Sequence, residues 1–272
     1  MRLALFCHSL LSDWNHGNAH FLRGVVTELV HQGHTVEVYE PEDAWSVRNL
    51  VAEAGPAALN EVRRVYPALS VTRYRPGFDP ESALAAVDAC IVHEWSDPAL
   101  VARIGALRAR GRFTLLFHDT HHRAVSDPEA MARYDLRHYD GVLAFGRVLR
   151  DLYVSRGWAR RAFLWHEAAD ARVFAPRPGV RPRWDVVWVG NWGDDEREAE
   201  LFTYLLDPIA RVGAKAAVFG VRYPARALAA LRERNIHYGG WTPNYRVPAL
   251  FADARVTVHV PRRPYVRALP GI

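Results

Sequence analysis

Lysine is all but missing from this 272-residue chain: Lys215 is the only one among 35 basic side chains. The arginines that make up the rest are dispersed among 30 acidic residues, and the formal charge is only +5. No basic arm forms, so the balance reads as compositional bias rather than selection for a polyanion, and no nucleic-acid partner is expected. Cysteine is equally scarce. Cys7 and Cys90 both lie in apolar runs and read as reduced core thiols, because two cysteines make no disulfide framework. Long hydrophobic runs are lacking too. Met1 to His8 holds too short an apolar stretch for a secretory leader, and nothing approaches the ~18 apolar residues of a spanning helix. Cytoplasmic residence is expected, with peripheral membrane association left open.

What is present is apolar and periodic. Half of the residues are hydrophobic, which suffices for sizeable cores, and the length favours two domains. Short apolar runs of strand length read at Leu3 to Phe6, Thr35 to Tyr39, Ala89 to His93, Phe113 to Phe117, Gly141 to Phe145 and Ala162 to Trp165. Between the first two, Phe21, Leu22, Val25, Val26, Leu29 and Val30 recur at helical spacing from Asn18 to Gln32, and Gly33 supplies the stop. Further helices read at Pro98 to Arg110 and Arg147 to Arg156. Alternation of this kind predicts a parallel sheet covered on both faces. Residues 170–183, with Pro176, Pro178, Gly179 and Pro182 among arginines, have no apolar face and read as a linker. A second α/β series follows: strands at Asp185 to Val189, Ala216 to Phe219, Ile236 to Tyr238 and Val256 to Val260, with helices from about Asp194 to Val212 and from Ala225 to Arg234. The expected fold is α/β, with two doubly wound domains of Rossmann type (1–169 and 184–272) facing a cleft. The second series holds only about four strands, so the sequence reads as truncated in that domain.

The most informative motif is His118-Asp119-Thr120-His121-His122, directly after the apolar run Phe113 to Phe117. The carboxyl edge of a parallel sheet is where ligands bind, because the strands stop there and the loops open a crevice. His118 ends the strand, and its ring is expected to face a ligand and to act as base, acid or hydrogen-bond donor near neutral pH without a large pKa shift, the alternative being a purely structural role. A metal is not expected: adjacent histidines rarely converge on one ion, and no partner has zinc-like spacing. No other cofactor is expected.

Two loops complete the reading. Ser9 to Ala19 runs from a strand into a helix, and there Gly17 and Asn18 allow close approach of a ligand to the helix start. Val189-Gly190-Asn191-Trp192-Gly193 follows a strand and precedes Asp194, Asp195, Glu196 and Arg197. Its glycines expose amides and Arg197 can fork onto phosphate oxygens, whereas three carboxylates in a first helical turn would repel a diphosphate unless they face solvent. Trp14, Trp95, Trp192 and Trp241 fall at or just beyond strand ends, where a flat ring can stack on a sugar or simply fill an interface.

These features, together with Phe163-Leu164-Trp165-His166-Glu167-Ala168-Ala169-Asp170, Val173-Phe174-Ala175-Pro176, Gly239-Gly240-Trp241 and Val256-Thr257-Val258-His259-Val260-Pro261, occur in the order seen in one family. The chain resembles the GT-B glycosyltransferases of the family-4 type, and more closely the CgeB-like branch associated with spore maturation. The resemblance implies transfer of a sugar from a nucleotide-diphosphate donor, held by the second domain, to an unknown acceptor held by the first. It makes His118 and Asp119 the catalytic candidates and puts Gly17, Asn18, His93 and Glu94 on the acceptor side. Gly190, Asn191, Trp192, Arg197, Gly220, Arg222, His259 and Arg262 fall on the donor side. Asn191 stands where the family usually has an arginine, a contact that Arg222 or Arg262 could supply. The family's glutamate-rich donor motif would fall beyond Ile272. The alternatives are a non-catalytic nucleotide-sugar-binding protein and a sugar-nucleotide epimerase on the same fold.

Overall fold

The computed structural model describes residues 1–268, which divide into two compact units: Met1–Ala169, to which Arg267 and Ala268 also belong, and Asp170–Val266. In the first unit seven strands form one parallel sheet: β1 (Arg2–Phe6), β2 (Thr35–Pro41), β3 (Ser70–Tyr74), β4 (Ala89–His93), β5 (Thr114–Asp119), β6 (Gly141–Ala144) and β7 (Ala162–Leu164). Their order across the sheet is β3-β2-β1-β4-β5-β6-β7. Crossover helices cover the faces, the first being Asn18–His31, which buries Phe21, Leu22 and Val26 and is followed by Gly33 at φ +83°. That positive φ is open to glycine at little cost, so the chain turns there into β2. The helix Pro98–Arg110 begins just as sharply, because Asp97 accepts a bond from the Ala99 amide at 2.7 Å and Pro98 needs no donor of its own.

The central strands are apolar on both sides. Phe6, Val92, Leu115, Phe117 and Val142 are fully buried, each worth roughly 1.5 to 3 kcal/mol of transfer free energy. Register pairs His93 of β4 with His118 of β5. Several elements of this unit escape the sequence pattern: the helices Trp45–Ala54 and Ala57–Val65, the one-turn helices Glu81–Leu84, Arg123–Ser126 and Pro128–Met131, and the edge strand β3. The last is half-exposed and mixes Val71 with Ser70, Thr72 and Arg73, so it carries little hydrophobic signal.

The second unit contains a parallel sheet of β8 (Trp184–Val189), β9 (Ala216–Phe219), β10 (His237–Tyr238) and β11 (Ala254–Thr257), ordered β10-β9-β8-β11. Its core gathers Trp188, Trp192, Leu201, Leu205, Leu206, Ile209, Val218 and Leu231. The helix expected from Asp194 begins only at Glu198, and Phe202–Leu206 within it winds as a π-helix. The cause is local: Gly193, Asp194 and Asp195 have φ of +100°, +49° and +66°, a left-handed run that cannot continue into a right-handed helix. Asp194 to Arg197 therefore form a turn ahead of the helix, not its first turn.

Candidate functional site

In each sheet the strand order reverses beside the first strand, between β1 and β4 in one unit and between β8 and β11 in the other. Loops leaving adjacent strands on the two sides of such a point diverge and open a crevice at the carboxyl edge.

In the first unit the loop after β1 is fastened from below. Glu40, fully buried at the end of β2, accepts the Leu10 and Leu11 amides at 2.8 and 3.3 Å. Arg23, equally buried, donates to the Leu10 carbonyl and to Asp13, each at 2.7 Å. Neither residue was legible as functional; the one available signal was an arginine on the apolar face of a helix. In many doubly wound folds an acid near this point binds a ribose. Glu40 is instead occupied by the loop. Above this base, Asn18 donates through Nδ2 to Thr120 Oγ1 at 3.2 Å and to Glu167 Oε1. Gly17, exposed, has open space where a Cβ would sit.

The histidine motif behaves differently from expectation. His118 is not an exposed strand end: β5 continues to Asp119, and His118 is 0% exposed between Phe21, His93 and Trp165, with ring centroids 5.9, 5.1 and 4.8 Å away. Both ring nitrogens are buried and unbonded within the protein. Burial pulls its pKa down to about 3, so the ring is neutral at physiological pH. The near-neutral titration expected of it is thereby corrected. His93, also buried, is held well below the usual range by burial and by His118.

Asp119 and Glu94 are buried as well. Asp119 accepts the His121 amide at 2.9 Å and the Tyr153 hydroxyl at 2.8 Å, while burial pushes its carboxyl up. Glu94 accepts the Thr120 amide at 3.0 Å and pairs with Arg123 at 2.8 Å. Burial and the neighbouring Asp119 raise its pKa, and Arg123 counters them. Arg123 in turn lies 4.2 Å from the centroid of Trp95, which is 38% exposed. Glu167 stands apart from this pair: it is only half-buried, and burial lifts its carboxyl to about 7 against the opposing bond from Asn18.

The second unit's edge is built around guanidinium groups. Arg197 is 9% exposed, lies 5.1 Å from the centroid of Trp188, and donates to the Val260 carbonyl at 2.9 Å and to both the carbonyl and Oδ1 of Asn191 at 2.7 Å. Arg262 reaches the same Asn191 Oδ1 at 3.1 Å and pairs with Glu196 at 3.0 Å. Burial and the proximity of Arg262 lower the Arg197 pKa to about 10. Among the described residues no carboxylate comes within ion-pair distance of Arg197. Arg222, in contrast, pairs with Asp194 at 3.1 Å from a left-handed φ of +64°. Of the two arginines considered as substitutes at Asn191, Arg262 is the one that converges there.

The acidic residues thus neutralise the outer arginines and leave the inner one without an anion. His259 is exposed nearby, its pKa lowered by partial desolvation of the ring and by Arg197. Gly220 (φ +144°) lies so close to the Gly190 carbonyl that a Cβ could not be accommodated, which locks the loops after β8 and β9 together. Trp192 is a core residue, 2% exposed and edge-on to Phe202. Its ring is unavailable for stacking on a ligand, which corrects its place among the donor contacts. Among the described residues no group of three His, Cys, Asp or Glu is arranged to hold a metal, and no helix is long and apolar enough to cross a membrane.

No protein-family model matches the chain, and no curated protein matches it. Solved structures do. An α-glucosyltransferase in complex with UDP and a 13-mer DNA aligns with a TM-score of 0.63 at 12% identity, over 94% of this chain and 71% of that one. A glycosyltransferase from Rickettsia africae aligns at 0.59 and 11%, over 94% and 72%. A variant of S. aureus TarM in complex with fondaparinux, α-GlcNAc-glycerol and UDP aligns at 0.63 and 7%, over 94% and 80%. At such identities the likeness establishes the fold, that of GT-B glycosyltransferases.

Proposed function

We propose that the chain is a glycosyltransferase whose second unit holds the diphosphate of a nucleotide-sugar donor and whose first unit presents the acceptor hydroxyl. The observation that carries this reading is the pair Arg197 and Arg262 on one Asn191 oxygen at the switch point of the second sheet. A desolvated guanidinium without a counter-charge is costly, and a bidentate anion such as a diphosphate would relieve that cost. In transfer, the unpaired Arg197 charge would stabilise the leaving diphosphate, with Arg262 exchanging its Glu196 partner for it, a role that requires the guanidinium in place before negative charge develops. Several matching structures contain UDP, which supports a uridine diphosphate as the first donor nucleotide to try.

On the acceptor side, the orphaned nitrogens of His118 and the open space at Gly17 favour a neutral, hydroxyl-bearing ligand over an anion. His118 would then orient that ligand as a neutral hydrogen-bonding group, with Asp119 bracing β5 behind it. The CgeB-like branch and hexosyl transfer are the finer forms of this proposal, supported by the order of motifs along the chain. A thermal-shift panel of nucleoside diphosphates and nucleotide sugars tests it, since a ligand at a hundred times its Kd stabilises the native state by about 2.7 kcal/mol. A melting temperature that no member of the panel raises would sink the reading. Binding without release of diphosphate would favour the non-catalytic binding protein, and interconversion of the free nucleotide sugar would favour the epimerase.

A further inference from the structure

Glu167 is a carboxylate that neither the histidine motif nor the donor loop explains. It follows β7 at the same carboxyl edge of the first sheet as Asn18, after β1, and Thr120, after β5. Asn18 Nδ2 binds Glu167 Oε1 and Thr120 Oγ1 together, tying three loops at one point. At the same sheet edge hydrogen-bonding capacity is left over: Asn18 Oδ1, on the residue that holds Glu167, and both nitrogens of His118 in β5 are buried without a partner. Among the described residues no cation pairs with Glu167. A half-buried carboxyl with one neutral donor, no counter-charge and unspent polar atoms beside it is poorly explained as a structural brace.

We propose that Glu167, aimed by Asn18, is the base that takes the proton from the acceptor hydroxyl. This rests on the glycosyltransferase reading. As the acceptor oxygen forms its bond to the anomeric carbon, the bond from that carbon to the diphosphate breaks and its electron pair leaves with the diphosphate. The acceptor's proton passes to Glu167 and is later lost to water. The surroundings suit the role. Burial raises the Glu167 carboxyl to about 7 and the Asn18 bond opposes the rise. The titratable groups on the elements around it are His20 on the helix, His93 and Glu94 at the end of β4, His118 and Asp119 in β5, and the adjoining His166. His93 and His118 are held neutral, and Glu94 is paired with Arg123. No charged group contributes to the Glu167 shift. A base with a pKa near the working pH is effective because it is both ionised and basic.

The experiment measures UDP release from UDP-glucose by the full chain as a function of pH, with water and then azide as the acceptor. With water, the rate should rise through a limb near pH 7. Glu167→Gln should lower it roughly 100-fold or more and abolish the limb, at an unchanged melting temperature. Asn18→Ala should move the limb to higher pH, because the lost donor favours the carboxylate. Azide has no proton to surrender, so the Glu167→Gln protein should use it as fast as the unmodified chain. A retained limb in Glu167→Gln, or failure of azide to restore its rate, overturns the assignment while leaving the transferase intact. Absence of UDP-glucose binding and turnover in the unmodified chain overturns the transferase reading and the base with it. A nuclear magnetic resonance titration of the Glu167 carboxyl provides a readout independent of turnover: an ordinary carboxyl value near 4.5 removes it as the base.

Discussion

The two carboxyl edges share a topology and differ in chemistry. Both sheets place their first four strands in the order third, second, first, fourth, and both open at the point where that order reverses. In the first unit the edge is lined by His93 and His118, kept neutral by burial, and by carboxyls that burial pushes toward protonation. In the second it is lined by Arg197 and Arg262, whose guanidinium groups converge on Asn191 Oδ1. One edge is therefore suited to hydroxyls and proton movement, the other to anions. Topology decides where a site opens; the side chains that reach it decide what enters.

Glycine replacements should break the comparison most sharply. Gly220→Ala puts a Cβ into the Gly190 carbonyl at a φ of +144°, and should cost about 2 to 5 kcal/mol of stability together with nucleotide binding. Denaturant unfolding read alongside UDP titration checks it. Next in size, Arg197→Ala should weaken UDP binding by about 1.5 to 3 kcal/mol in calorimetry, the scale of a charge-assisted contact. Arg226→Ala, which breaks only exposed pairs with Asp195 and Glu198, should not. Equal affinity in the Arg197 and Arg226 variants would remove the contrast between inner and outer arginines.

The third test concerns pH. His118 has a folded pKa of about 3, below its unfolded value of about 6.5, so the unfolded chain takes up the proton first. Its contribution is fully present above pH 6.5 and is lost as pH falls toward 3. His118→Phe should remove that dependence, narrowing the loss of stability between pH 6.5 and pH 5 by about 2 kcal/mol in urea melts. An unchanged pH slope would mean that the ring is hydrated in solution. The smallest effect belongs to Gly17→Ala. Gly17 has a helical φ of −63° and nothing near its missing Cβ, so stability should move by no more than about 0.5 kcal/mol. A large loss there would contradict the open space assigned to the acceptor edge.

Much of the scaffold was readable in advance. The strands at Ala89–His93 and Ala216–Phe219 coincide with their apolar runs, because central parallel strands are apolar on both faces and stop where the sequence turns polar. The edge strand β3 was not readable, since one exposed flank leaves it half polar. At the donor edge the glycine turn and Arg197 were visible by spacing, whereas the convergence of Arg262 spans 71 residues and exists only in the folded chain.

Composition and periodicity by themselves determined the α/β class, the alternation of strands and helices, and the loops on which chemistry could sit, because these depend on which residues can be buried next to their neighbours in sequence. Tertiary structure decided the state of the side chains. It made His118 a neutral buried ring, Trp192 a core residue and Arg197 a cation without an anion, and it joined Asn18 to Glu167. Ionisation and accessibility are set by the solvent displaced from around a group, and that solvent is displaced by residues far away along the chain.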